Sequence, residues 1–497
     1  MLISCTFSID YFTELFEKCN FAARFYIEKC NFTARFYIEK CNLKAMLYRK
    51  IGKYIEQHLL GGSDKILLIE GARQIGKTFI IREIGGRLFQ NFIEINLAED
   101  TDGKGVFRNV RTTDEFYFAL SAVAGGKLGS ASDTLVFLDE IQQYPQFLTM
   151  LKFLRQERRF QYIASGSLLG VTLRSTTSIP VGSIIRKKMF QLDFEEFLLA
   201  NGMGEEAIMS MREAWRKGES LRMEVHEMMM THFRRYLLVG GMPDVVNEYL
   251  ATKNIVKVRH LQNAIHQLYK DDAAKYVETF GRNLLVRRIY DMIPSQMENK
   301  KKRIVAKNIQ DKYGDRFDRY EEEFEYLVSS GIVLDVHAVS NPRYPLSESV
   351  QKNLLKLYLN DVGMLTAQLY ANNIQAVMRD ERSINLGAVY ESVVAQELAA
   401  HGFSLFYYDN RKNGEVDYLI DDYESLSVLL IEVKSGRDYT IHSALNKLLS
   451  NPDYHIKSAI VVSNERIVRQ VGNVKYIPIY YIMFLDKEDM GSEEVIF

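Results

Sequence analysis

Gly71-Ala72-Arg73-Gln74-Ile75-Gly76-Lys77-Thr78 follows the apolar run Ile66-Leu67-Leu68-Ile69 and opens onto Phe79-Ile80-Ile81. This spacing predicts a buried strand, a glycine-rich turn and the first turn of a helix, which together make a phosphate-binding loop. The two glycines let backbone amides curl around polyphosphate oxygens. Lys77 reaches the β and γ phosphates as a point charge, and the Thr78 hydroxyl is suited to Mg²⁺. Residues Gly71 to Thr78 are therefore expected to bind a nucleoside triphosphate.

A second part of the same site lies downstream. Thr134-Leu135-Val136-Phe137-Leu138-Asp139-Glu140 reads as a strand buried on both faces that ends in two acids. Such acids face the carboxyl edge of a parallel sheet, where ligands bind. Asp139 is placed to hold Mg²⁺ through water, and Glu140 to orient the water that attacks the γ-phosphate. Hydrolysis of ATP is then expected as well as binding. A further strand, Phe160-Gln161-Tyr162-Ile163-Ala164, ends in Ser165-Gly166-Ser167. Ser165 and Ser167 are either sensors of the γ-phosphate or ordinary turn serines.

These residues together resemble the AAA-superfamily ATPases, with Glu140 after the Walker B aspartate favouring that group over small GTPases. Ser178-Ile179-Pro180-Val181-Gly182, Asp193-Phe194-Glu195-Glu196-Phe197-Leu198 and Gly240-Gly241-Met242-Pro243 narrow the match. They look like a large group of predicted prokaryotic ATPases whose C-terminal region is a domain of unknown function. The resemblance covers nearly everything after residue 46 and implies an ATP site. Hexameric relatives carry an arginine finger, and the candidates here are Arg155, Arg158, Arg159 and Arg174.

At 497 residues the chain should form about three domains, since single domains run to roughly 100 to 200 residues. Its 63 Lys and Arg balance 64 Asp and Glu, so any nucleic-acid surface must be local. No stretch offers the ~20 apolar residues that span a bilayer, so no membrane contact is expected. Asp10, Glu14 and Glu17 near the start argue against a secretory leader, and a cytoplasmic location is expected. Oligomerisation is compatible with the sequence. The four cysteines, Cys5, Cys19, Cys30 and Cys41, support neither a disulfide framework nor a zinc site. Residues Cys19 to Lys29 recur almost unchanged as Cys30 to Lys40, an 11-residue tandem repeat. It reads as a short duplicated tract upstream of Met46, a candidate initiator, or alternatively as an amphipathic helix for a partner.

After Asp193 the pattern turns helical through Met203 to Met230 and again from Ile255 to Lys275. Lys300-Lys301-Lys302-Arg303, a short helix through Ile309, a turn at Tyr313-Gly314-Asp315 and a helix from Arg319 to Ser329 come next. Gly331 to His337, leading to Asn341-Pro342, completes a helix-turn-helix-wing pattern. Lys301, Lys302, Arg303 and Lys307 are candidate phosphate contacts for DNA. Glu321-Glu322-Glu323 makes the would-be recognition helix acidic, which favours a structural winged helix.

Beyond Leu386 a helix carrying Glu391 precedes a hairpin carrying Asp417 and the strand Val428-Leu429-Leu430-Ile431-Glu432-Val433-Lys434. The period of two puts Glu432 and Lys434 on one face, with Asp417 beside them. Three carboxylates and a lysine suit a Mg²⁺-dependent phosphodiesterase. Asp417 and Glu432 would bind metal, Lys434 would position water, and Glu391 would support the metal's water shell. The arrangement resembles the restriction-endonuclease-like, or PD-(D/E)XK, fold.

The expected architecture is α/β. An N-terminal extension (1–45) precedes an AAA-type P-loop NTPase core with a parallel sheet (46–200), a helical lid (201–299), a winged-helix region (300–345) and a nuclease-like α/β domain (346–497). The expected function is an ATPase whose nucleotide state controls DNA binding or cleavage. The alternative is a non-nucleolytic switch whose C-terminal domain docks protein or DNA.

Overall fold

The computed structural model describes residues 46–167, 182–276, 280–299, 302–310, 316–381, 384, 386–436 and 439–487. The tandem repeat, Arg174, residues 178 to 181, Lys300, Lys301 and the 313–315 turn lie outside the described residues. Residues Tyr48–Phe497 form one unit, distinct from Met1–Leu47, and the elements below belong to it.

Every residue of β1 (Ile66–Glu70) and β3 (Thr134–Asp139) is buried, as expected of strands covered on both faces. With β2 (Asn91–Asn96), β4 (Gln161–Gly166) and β5 (Ile184–Lys188) they form a five-stranded sheet in the order β2-β3-β4-β1-β5. All its neighbouring pairs are parallel. One face is filled by Phe116, Leu120, Phe147, Leu151 and Leu154 from the helices Thr113–Ala124 and Gln146–Glu157. Truncating any such leucine to alanine costs about 2–5 kcal/mol. The other face takes the helix Lys77–Leu88, which packs on Lys50–Leu60. This is the P-loop NTPase fold, and it brings the ends of β1, β3 and β4 to one edge.

The connector is helical, as its composition predicts, but breaks at Gly218 into Glu205–Lys217 and Met223–Val239. The turn at Gly240-Gly241 follows, then helices Pro243–Thr252, Ile255–Tyr276 and Phe280–Glu298. Among the described residues, no helix is long and apolar enough to cross a membrane.

The supposed wing has a different role. Its strand β6 (Val333–Val339) pairs antiparallel with β7 (Val350–Leu359) and parallel with β8 (Phe406–Asn410). Both therefore join β9 (Gly414–Asp422), β10 (Ser427–Lys434), β11 (Ser458–Ser463), β12 (Arg469–Val471) and β13 (Val474–Pro478) in one mixed sheet, ordered β12-β13-β11-β10-β9-β8-β6-β7. That sheet runs straight across the expected border at 345/346. On the acidic helix Glu321–Ser329, Glu323 is buried, and Arg282 pairs with Glu322 and lies 3.7 Å from Glu323. The helix Gly387–Ala400 lies against β10, β6 and β7, and Ser443–Ser450 packs on β9 and β11.

Candidate functional sites at the P-loop and on the mixed sheet

Gly71 to Thr78 joins β1 to the helix that starts at Lys77, so the loop's amides gather at a helix N-terminus. Lys77 is buried and its ammonium donates to the Gly71 and Ala72 carbonyls at 2.9 and 2.8 Å. Burial lowers its pKa to about 8, against the pull of Glu140 and Asp139. A cation held this way gains from an anionic ligand. Thr78 Oγ1 donates to Asp139 Oδ2 at 2.8 Å, while Ser165 Oγ donates to Asp139 Oδ1. The loop, β3 and β4 therefore meet at one carboxylate. Burial raises the Asp139 pKa, partly offset by the Ser165 and Thr78 hydrogen bonds. An oxygen-rich pair such as the half-buried Thr78 and the buried Asp139 suits Mg²⁺.

Glu140 adopts the left-handed conformation (φ 52°), which turns it out of the strand direction. Its Oε2 accepts from Ser167 Oγ at 3.0 Å and from the Gln142 amide, which also donates to Ser167 at 3.2 Å. Gln142 has no counterpart in the sequence reading. Arg73 spans from Ser167 (3.4 Å) to Asp272 (2.6 Å), and Tyr269 donates to its carbonyl at 3.2 Å. The loop is thus tied to the helix Ile255–Tyr276. Gly331 also abuts the loop, where an added Cβ would stand 3.0 Å from the Ala72 amide nitrogen.

Arg155, Arg158 and Arg159 sit before β4, at the end of the sheet opposite the P-loop. Arg155 pairs with Asp64, Arg158 lies 3.7 Å from the same carboxylate, and Arg159 stacks over Tyr117. Arg49 reaches the loop from outside. It is buried and donates to the Ile75 carbonyl at 2.8 Å and to Glu196 at 3.1 Å. Glu196 also belongs to a capping box with Asp193 at the start of Phe194–Ala200, and Lys50 lies 2.7 Å from Asp193. The backbone N–H of Phe194 in turn donates to Glu397 at 3.0 Å, on the helix that carries Glu391.

On the mixed sheet, Asp417 from β9 accepts the Val433 N–H at 2.8 Å, and Lys434 donates to Glu432 Oε1 at 2.7 Å. Glu391 pairs with Lys302. Burial, then Asp417, raises Glu391 to about 7 and Glu432 to about 8. Sharing the cluster is Lys356 of β7, fully buried, 2.5 Å from Glu415 Oε1 yet out of line for a hydrogen bond. Burial opposes its charge, but Tyr358, Glu391, Glu415 and Asp417 outweigh that and raise its pKa. Glu391 Oε2 and Glu432 Oε2 are buried without a hydrogen-bond partner. Such acceptors fit a hard cation. Among the described residues, no group of three or more His, Cys, Asp or Glu side chains is placed to hold one metal ion.

The lysines Lys302 and Lys356 were not legible as parts of this cluster. Lys302 looked like a DNA contact within a basic run, but its partner is Glu391. Arg303 likewise lies 3.9 Å from Asp409. Lys307 begins a short helix, Lys307–Gln310.

Comparison with known proteins matches three segments of the chain. The family described as AAA domain matches residues 63–198, and two domains of unknown function, DUF8612 and DUF4143, match 230–375 and 386–482. Among solved structures, the Walker-type ATPase PABY2304 of Pyrococcus abyssi is 14% identical, with a TM-score of 0.41 over 65% of this chain and 96% of that one. The Thermotoga maritima RuvB Holliday junction branch migration motor is 14% identical over 61% of this chain and 92% of its own, with a TM-score of 0.27. AMPPCP-bound DnaA from Aquifex aeolicus is 13% identical over 50% and 76%, with a TM-score of 0.26. No protein of curated function matches. With a Gly-x-x-x-x-Gly-Lys-Thr loop, an Asp-Glu pair at the end of β3 and a parallel five-stranded sheet, residues 63–198 have the P-loop NTPase fold and match the family described as AAA domain.

Proposed function

We propose that this protein hydrolyses ATP and that its nucleotide state controls a Mg²⁺-dependent, nuclease-like or DNA-binding C-terminal domain. The observation that carries the reading is the convergence of Thr78, Asp139 and Ser165 beside a buried Lys77. Lys77 would leave the Gly71 and Ala72 carbonyls for the β and γ phosphates. Thr78 and Asp139 would hold Mg²⁺, which neutralises the phosphate charge. Glu140, aimed by Gln142 and Ser167, would orient the attacking water, and Ser165 and Ser167 would sense the γ-phosphate.

Control of the second site is supported by two connections. Arg49 joins the Ile75 carbonyl to Glu196, and Phe194 joins the same capping box to Glu397. Asp417 and Glu432 would carry the metal there, with Lys434 positioning water and Glu391 shaping its shell. The Lys302–Glu391 pair favours a second reading, in which the C-terminal domain is a docking module without cleavage.

Lys77→Ala should weaken ATP binding, and Glu140→Gln should preserve binding while slowing turnover by ~10²-fold or more. Calorimetry with Mg²⁺ and a phosphate-release assay read the two effects. Equal turnover in Glu140→Gln and wild type contradicts the assigned role. DNA cleavage with Mg²⁺ or Mn²⁺ that Asp417→Ala abolishes, with ATP turnover intact, separates nuclease from docking module. A protein that cuts no nucleic acid under any metal and nucleotide condition leaves only the second reading.

A further inference from the structure

Two buried carboxylates, Glu391 and Glu432, and two half-buried ones, Glu415 and Asp417, lie near three lysines, Lys302, Lys356 and Lys434. The lysines are not equivalent. Lys434 reaches Glu432 from the same strand, so its position is fixed by the sheet. Lys356 is sealed, with 1% of its side chain exposed, and stacks 4.6 Å over Tyr407. Lys302 and Lys434 both reach water, with 21% and 28% of their side chains exposed, but Lys302 alone comes from outside a regular strand or helix.

Its backbone runs beside β7. Arg303 makes an isolated bridge to Lys356, Ile304 N–H donates to the Leu355 carbonyl at 2.9 Å, and Arg288 donates to the Ile309 carbonyl at 2.9 Å. The Lys302 ammonium engages Glu391 Oε1, leaving Glu391 Oε2 buried and unpartnered, as is Glu432 Oε2. An ammonium supplies one charge where two open carboxylate oxygens favour a divalent ion. Both cations compete for the same negative potential, and of the two lysines with a path to water, Lys302 is the one not carried on a strand of the sheet and so the one that can yield.

We propose that Lys302 is the resident counter-ion of Glu391 in the metal-free protein and must swing out when a divalent cation enters, so that it sets the metal affinity of the cluster. This rests on the reading of Asp417 and Glu432 as a metal site. It also assigns a metal-tuning residue to the segment that precedes β6, outside the helix and strands that carry the carboxylates.

The test is Mn²⁺ uptake by the nucleotide-free full chain, followed by the electron paramagnetic resonance of free Mn²⁺. Lys302→Gln should bind Mn²⁺ roughly tenfold more tightly than wild type, because a competing charge is gone. Lys302→Arg keeps the ion pair and the fold, and should bind as wild type or several-fold more weakly. Asp417→Asn should lose the site. If Asp417→Asn removes uptake but Lys302→Gln binds no more tightly, or Lys302→Arg binds more tightly, the counter-ion role is wrong and the metal site stands. If Asp417→Asn leaves uptake unchanged, the carboxylates hold no metal and both ideas fall.

Discussion

Asp361, at the end of β7, accepts the backbone N–H of Gly241 at 2.6 Å across a buried contact, and caps its own helix through Met364 N–H at 3.0 Å. The Gly240-Gly241 turn is shaped by this approach. A Cβ on Gly240 (φ 74°) would collide with the Asp361 carboxylate, and one on Gly241 with the Leu192 carbonyl. Burial pushes Asp361 up from 3.8 to about 6, although the N–H donors of Gly241 and Met364 pull the other way. Its folded pKa is raised, so its contribution is fully present below pH 3.8 and is lost as pH rises through 6. The stability advantage of wild type over Asp361→Asn should shrink by about 1 to 2 kcal/mol between pH 5 and 7.5. Urea unfolding at the two pH values measures this, and a constant gap would contradict it.

Gly331 has φ +75° and abuts the start of the P-loop. Alanine there meets both a strained backbone and the Ala72 amide, and should cost more than about 1 kcal/mol. Because the loop gives way, ATP affinity should fall with it, by about tenfold. Thermal melting and nucleotide titration of Gly331→Ala read the two effects. A lowered melting temperature with unchanged affinity would mean that the contact does not steer the loop.

Arg49 and Glu196 are both nearly fully buried, with 7% and 5% of their side chains exposed. Removing one partner strands the other charge, which costs about 3–5 kcal/mol, whereas replacing both with apolar residues is often close to neutral. Arg49→Met should therefore destabilise more than Arg49→Met combined with Glu196→Leu. A double-mutant cycle by denaturant unfolding checks this, and additive losses would rule out coupling.

The P-loop and the acids after β3 were legible because their chemistry lies in contiguous residues whose flanking apolar runs announce strands. The helix with Glu391, the hairpin with Asp417 and the strand with Glu432 and Lys434 were legible through strand periodicity. What escaped was non-local. Nothing in a basic run tells which lysine has a carboxylate partner 89 residues away, as Lys302 has in Glu391. Strand β6 looked like a wing because its pairing with β8 joins residues far apart in the chain. Asp193-Phe194-Glu195-Glu196 is a capping-box sequence, which accounts for that motif as a helix start anchored to Arg49 and Lys50.

Because β6 and β7 are strands of the same sheet as β8 to β13, a fragment cut to the last matched segment, residues 386–482, would begin with β8 as a raw edge. It would expose unpaired backbone along that strand and lose Lys356, the ammonium sealed beneath the acids, so it should aggregate instead of folding alone. Recombinant dissection of this protein has to place its cut upstream of β6, and upstream of Lys302 if the carboxylates are to keep both foreign lysines.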